Sequence, residues 1–216
     1  MASFRNFIFS HIPRCKFSQL ISILPGMPGL FTSRELYTGA LHLPNPPPAI
    51  ERIVIMGVAG CGKSTLGQAI AQQMGWAIIE GDDFHSQENK AKMRGGVALV
   101  DADRQGWLCS LADQLRARKG SLVLTCSALK RSYRDILREA SPGLGFIYLD
   151  ITEAGALERL RQRSQHFFPP QLLSTQFETL EIPVDEPGVI HLNPQLPLPQ
   201  LVETTVTWLT DSSRQS

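Results

Sequence analysis

The stretch GVAGCGKS, Gly57 to Ser64, constrains the fold of this chain more than any other. It meets the pattern G-x-x-x-x-G-K-[ST] at every fixed position. The apolar run Ile53-Val54-Ile55-Met56 precedes it, and a helix-like segment, Ser64 to Met74, follows. A strand, a glycine-rich loop and a helix in that order form a cradle for a polyphosphate. Gly57, Gly60 and Gly62 allow tight turns and a close approach of backbone N–H groups. Those groups form an anion-binding nest, and the following helix adds the positive end of its dipole. Lys63 supplies a mobile charge for the β- and γ-phosphates. The Ser64 hydroxyl suits Mg²⁺, which keeps most of its waters and bridges phosphate oxygens; Thr65 sits one residue late for that role. The expectation is a nucleoside triphosphate site, ATP with Mg²⁺.

From Arg52 onward short strands alternate with helices, which predicts an α/β fold with a parallel sheet and helices on both faces. The strands are expected at Ile53–Met56, Ala77–Glu80, Ser121–Cys126, Gly145–Asp150 and Val189–Leu192. The helices are expected at Lys63–Met74, Arg104–Lys119, Leu129–Ala140, Ala154–Arg163, Pro170–Leu180 and Pro199–Leu209, with Asp103 and Thr152 as N-caps. Ligands of such sheets lie beyond the carboxyl ends of the strands. That rule brings Gly81-Asp82-Asp83-Phe84-His85, Ser127-Ala128-Leu129-Lys130 and Asp150 to one cleft with the phosphate loop.

Each of these residues has a chemical and a plain structural reading. Asp82, nearest its strand, suits an acid that takes the acceptor hydroxyl's proton. Asp83 suits a water-mediated magnesium contact or the N-cap of a helix over Ser86–Arg94. His85 is read either as a hydrogen-bond partner for a sugar hydroxyl or carboxylate or as a structural ring. Arg94 and Arg104 form a candidate carboxylate clamp, or a solvated helix face. Arg159 and Arg163 share one helix face and are read as a pair closing over the phosphates, or as a basic helix end favoured by the dipole.

With 216 residues the chain has room for one good core. A net charge of +1 gives no electrostatic case for nucleic acid. No apolar run is long enough to span a bilayer. The four cysteines show no metal spacing and read as reduced thiols in a cytosol-like compartment. Residues 1–49 carry basic residues, phenylalanines and serines before Pro44-Asn45-Pro46-Pro47-Pro48. They read as a disordered extension, an organelle transit peptide or a start placed too early. The expected division is an extension at 1–49, one P-loop domain at 50–211 and a tail at 212–216.

Longer motifs follow in order: GDDFH, NKAKM, LVDADRQGWL, CSALKRSYRDILR, FIYLD and HFFPPQLLSTQFETLE. In this order the chain resembles the gluconokinase family of P-loop sugar-acid kinases, in their thermoresistant-type form, over Ile53 to Leu209. The resemblance implies a P-loop NTPase fold like that of the nucleoside-monophosphate kinases, with a five-stranded parallel sheet and a mobile lid. It implies MgATP-dependent phosphorylation of D-gluconate at O6, feeding pentose phosphate or Entner–Doudoroff routes, by a cytoplasmic homodimer. A mitochondrial or plastid location is the alternative if residues 1–49 are a transit peptide.

Carried over residue by residue, Gly57, Val58, Ala59, Gly60, Cys61, Gly62, Lys63, Ser64 and Thr65 bind ATP. Asp82 and His85 face gluconate. Asp101, Asp103 and Arg104 match an acidic-Asp-Arg motif, Ser127 and Lys130 line the acceptor pocket, and Arg134 is a further contact. Arg159 and Arg163 fall at the lid base and His166 opens the HFF segment. Ala59 and Cys61 stand where serines are usual, Val100 and Ala102 where polar or acidic residues are, and Gln165 where Gly is. A kinase for another polyol acid and a nucleotide-binding module without catalysis are the competing readings.

Overall fold

The computed structural model describes residues 50–162 and 169–214. The expectations for residues 1–49, and for Arg163, Gln165 and His166, lie outside them. Five parallel strands, β1 (Arg52–Met56), β2 (Ala77–Glu80), β3 (Leu122–Thr125), β4 (Gly145–Leu149) and β5 (Val189–Leu192), form one sheet in the order β2-β3-β1-β4-β5. Seven α-helices connect or flank them: α1 (Lys63–Met74), α2 (Gln87–Arg94), α3 (Asp101–Ala117), α4 (Arg131–Ala140), α5 (Glu153–Gln162), α6 (Pro170–Thr179) and α7 (Leu198–Arg214). A 3₁₀ turn, Gly81–Phe84, lies between β2 and α2.

Why the central strands are apolar on almost every residue follows from their two neighbours. Ile53 and Ile55 of β1 face α1 and α7, packing with Leu66, Ile70 and Leu201. Val54 and Met56 point the other way, onto Leu108 and Leu111 of α3 and Leu137 of α4. Successive strand side chains alternate faces, so covering both faces demands an unbroken apolar run. The edge strands β2 and β5 are only partly buried. Parallel register aligns Ile55 with Thr125 and Glu80 with Thr125. The loops after β1, β2 and β3 therefore leave the sheet side by side.

Several boundaries differ from expectation for local reasons. α3 begins at Asp101 rather than Arg104 because Val100 is its N-cap residue. Asp103 lies inside the first turn, where its carboxylate accepts the Val100 N–H at 3.1 Å. Ser86, not Asp83, caps α2 by accepting the Asn89 N–H. α4 begins at Arg131, two residues later than its pattern suggests. Lys130, extended at φ −95° and ψ 151°, is its N-cap residue, and Ala128 before it holds a left-handed φ of 43°. α7 continues past Leu209 to Arg214.

Candidate active site

The loop between β1 and α1 has positive φ at Gly57, Gly60 and Gly62. At Gly60 the requirement is doubled, since a Cβ there would meet Ala156 O and Leu160 Cγ at 2.9 Å. The Gly57 N–H donates to Ser127 O at 3.3 Å, tying the start of the loop to the segment after β3. Lys63 Nζ donates to Gly57 O and Val58 O at 3.1 and 3.0 Å. An ammonium has three hydrogens, so one is left for an anion.

Glu80, which sequence reasoning passed over, ends β2 beside this loop. Ser64 Oγ donates to Glu80 Oε2 at 2.9 Å, and Thr125 Oγ1 donates to the same oxygen. Glu80 Oε1 is buried with no hydrogen-bond partner. An orphaned carboxylate oxygen next to the loop serine is the kind of donor that a hydrated Mg²⁺ satisfies. Among the described residues no group of three His, Cys, Asp or Glu could hold a metal alone. The set fits a magnesium ion whose other ligands are phosphate and water. The available signal was positional: Glu80 is the last residue of a strand whose carboxyl end faces the loop.

A cleft of about 270 Å³ opens from the loop and is lined by Lys63, Ser64, Asp82, His85, Arg104 and Ser127, among others. These residues come from the ends of β1, β2 and β3, with Arg104 added from α3. Asp82 rides on the 3₁₀ turn, exposed, and its carboxylate has no hydrogen-bond partner among the described residues. The turn is pressed against β3: a Cβ on Gly81 would lie 2.4 Å from Thr125 O. Trp107 Nε1 donates to Gly81 O at 2.7 Å, and the Trp107 ring stacks on His85 with centroids 4.4 Å apart. His85 Nδ1 is buried and unpartnered. Burial lowers the His85 pKa below 6.5; Asp82 opposes this, while Arg104 and Lys90 reinforce it. The ring is therefore neutral at pH 7 and offers an acceptor as well as a donor. Buried Arg104 spends Nη1 on Leu99 O at 2.6 Å.

Other expected site residues lie elsewhere. Lys130 Nζ donates to both Asp101 oxygens at 2.9 and 2.7 Å, and Tyr133 donates its hydroxyl to the same carboxylate. The bonds from Lys130, then Tyr133, lower the Asp101 pKa. Asp103 receives Lys92 Nζ at 2.6 Å. These contacts join α3 to α4 and α2 and leave Asp101, Asp103 and Lys130 off the cleft wall. Arg94 is exposed and also off it. The expected clamp therefore reduces to Arg104, because Arg94 ends α2 on its solvent side.

Arg134 requires a firmer correction. It is fully buried and cannot meet substrate. Its Nε and Nη2 donate to Glu186, and its Nη1 donates to Ala128 O and Leu129 O at 2.9 and 3.1 Å. Arg138 Nη2 joins Glu186 at 2.7 Å. The cluster fixes the loop that carries Ser127. Arg159 does not face the Asp82 cleft either. It donates to Cys61 O at 3.1 Å and to Pro194 O, and it lines a second cavity of about 370 Å³ behind the loop with Gly62, Thr65 and Pro194.

Comparison with known proteins places the fold in a family. A family model described as an AAA domain matches residues 53–181. The probable gluconokinase of Rattus norvegicus is 42% identical over 170 residues, covering 69% of this chain and 92% of that protein. The thermoresistant gluconokinase of Escherichia coli (strain K12) is 44% identical over 162 residues, covering 71% and 90%. The crystal structure of a gluconokinase from Sinorhizobium meliloti 1021 superposes with a TM-score of 0.72 at 43% identity, covering 77% of this chain and 95% of that one. With identity at this level across nearly the whole of each relative, the chain belongs to the gluconokinase family.

Proposed function

We propose that this protein transfers the γ-phosphoryl group of MgATP to O6 of D-gluconate, giving 6-phosphogluconate and ADP. The observation that carries the reading is Asp82: a carboxylate with no hydrogen-bond partner among the described residues shares a cleft with Lys63 and Ser64. Backbone N–H groups of Gly60 and of Gly62 to Thr65 receive the phosphates, and Lys63 neutralises the β- and γ-oxygens. Ser64, with Glu80 beyond it, holds Mg²⁺, which spreads the phosphate charge when bound. Asp82 orients the acceptor hydroxyl and takes its proton as the new P–O bond forms. Arg104, with Nη2 not spent on Leu99, pairs with the gluconate carboxylate, and neutral His85 and Ser127 hydrogen-bond its hydroxyls. The cavity between Arg159 and Pro194 suits the adenine ring. Arg163 and His166, which lie outside the described residues, are kept as candidate phosphate and substrate contacts. Residues 50–211 act as one catalytic domain, a cytoplasmic homodimer, unless residues 1–49 direct it to an organelle.

Purified protein with ATP and magnesium should release ADP in step with 6-phosphogluconate formation from gluconate. Other sugar acids in the same assay should turn over more slowly. Absence of product at millimolar gluconate rejects the activity; a faster competitor reassigns the substrate. ATP bound tightly without gluconate-stimulated ADP release would leave a nucleotide-binding module.

Glu80→Gln should raise the magnesium concentration for half-maximal rate by about 10–100-fold, the usual cost of losing a residue that orients a metal ligand. A magnesium titration unchanged from wild type removes Glu80 from the metal site.

A further inference from the structure

Gln176 is tied to the phosphate loop from the opposite wall of the cleft. Its Oε1 accepts the Ala59 N–H at 2.6 Å. A backbone N–H can only donate, so the atom facing it is the carboxamide oxygen. The Nε2 hydrogens are therefore turned away from Ala59, and Nε2 has no acceptor among the described residues. The helix that carries Gln176 is held firmly. Leu172 and Leu173 of α6 are buried, and Ser174 Oγ donates to Glu153 Oε1 of α5 at 2.7 Å. Gln176 lines the same cleft as Lys63, Asp82 and Arg104.

Two consequences follow. Ala59 N–H is already engaged by a neutral acceptor, so the donors open to phosphate begin at Gly60. A phosphoryl group passing from the loop toward Asp82 also crosses the space that Gln176 borders. Lys63 and Arg104 each spend donors on backbone carbonyls there, whereas among the described residues neither Nε2 hydrogen of Gln176 is spent.

We propose that Gln176 is a catalytic residue whose Nε2 donates to an oxygen of the transferring phosphoryl group, with Ala59 holding the carboxamide in position. The inference rests on the phosphoryl-transfer reading above. In the step, the bond from the γ-phosphorus to the ADP oxygen breaks and the bond to gluconate O6 forms. The hydroxyl proton goes to Asp82, and Gln176 exchanges no proton. A fixed donor aimed at developing charge accounts for about 10²–10³ in rate.

The test uses the full chain with Gln176→Leu and Gln176→Glu, each assayed for kcat and both KM values. Calorimetry measures Mg·ADP and Mg·AMPPNP binding. Gln176→Leu removes both functions of the side chain. Gln176→Glu keeps an acceptor for Ala59 but has no donor. Both should lose about 100-fold in kcat, with ADP affinity within about threefold of wild type and the triphosphate analogue losing its advantage over ADP. Near-wild-type kcat in Gln176→Glu alone would make Gln176 a brace for the loop and overturn the proposal. Unchanged kcat in both would overturn it too. If wild type fails to phosphorylate gluconate, the proposed activity fails; the triphosphate-against-diphosphate difference then still decides the role of Gln176.

Discussion

Asp82→Asn should lower kcat for gluconate phosphorylation by about 10²–10⁴-fold, the range for loss of a positioned general base. Asparagine keeps the size and the hydrogen-bond reach of the side chain but cannot accept the hydroxyl proton. Asp82 is exposed on its turn and makes no hydrogen bond to the described residues, so the substitution leaves the fold intact. ATP binding should be unchanged, because the loop contacts lie on β1 and α1. Lys63→Ala offers the contrast: it removes the charge on the phosphates, so turnover and nucleotide affinity should fall together. Single-turnover rates with calorimetric ATP affinities separate the two cases. An Asp82→Asn protein with near-normal kcat removes Asp82 from the proton transfer.

The largest effect on stability should come from Glu186→Ala. This leaves Arg134 charged, fully buried and without its carboxylate. Breaking a buried pair from one side costs about 3–5 kcal/mol. For a domain of this size that corresponds to roughly 6–20 °C in Tm. Burial pushes the Glu186 carboxyl up, but hydrogen bonds from Arg134 and Arg138 outweigh it and hold the pKa at about 2, against an ordinary 4.5. A carboxylate whose folded pKa is depressed stabilises the fold above its unfolded pKa, and that contribution is lost as pH falls through the folded value. The Tm gap between wild type and Glu186→Ala should thus be widest above pH 4.5 and close as pH drops toward 2. The double variant Arg134→Met, Glu186→Leu should recover only the part of the loss that comes from the unpaired charge, because it also removes the guanidinium that holds the Ala128 and Leu129 carbonyls. A gap independent of pH would mean that Glu186 contributes by packing alone.

Much of the framework was legible because its signals are local. The β-branched run before Gly57 marks β1, and the glycine and lysine spacing marks the loop and the start of α1. All five strands fall within about a residue or two of where apolar runs place them, the usual scatter of element ends. Helix starts were harder, because they depend on which polar side chain reaches back. Asp103 has the right chemistry for a cap but accepts the Val100 N–H from inside the first turn.

Placement of the cleft followed from strand polarity, which brings Asp82, His85 and Ser127 to one edge with the loop. Charged residues were less legible. Arg134, Lys130 and Arg159 carry the same charge as a substrate-binding arginine or lysine, and only their partners distinguish them. Those partners, Glu186, Asp101 and the carbonyls of Cys61 and Pro194, are distant in sequence. Gln176 and Glu80 escaped for the converse reason. Their roles arise from single contacts across 117 and 16 positions, and no spacing rule encodes those.

Ala128 holds a left-handed backbone where a guanidinium on α4 grips the carbonyls of Ala128 and Leu129. For an L-residue that conformation costs about 1–2 kcal/mol. Transplanting the tripeptide Ser127-Ala128-Leu129 into another kinase would thus not transplant its shape. The donor segment would relax unless Arg134 and Glu186 travelled with it, which makes these five residues the smallest portable unit of the acceptor wall.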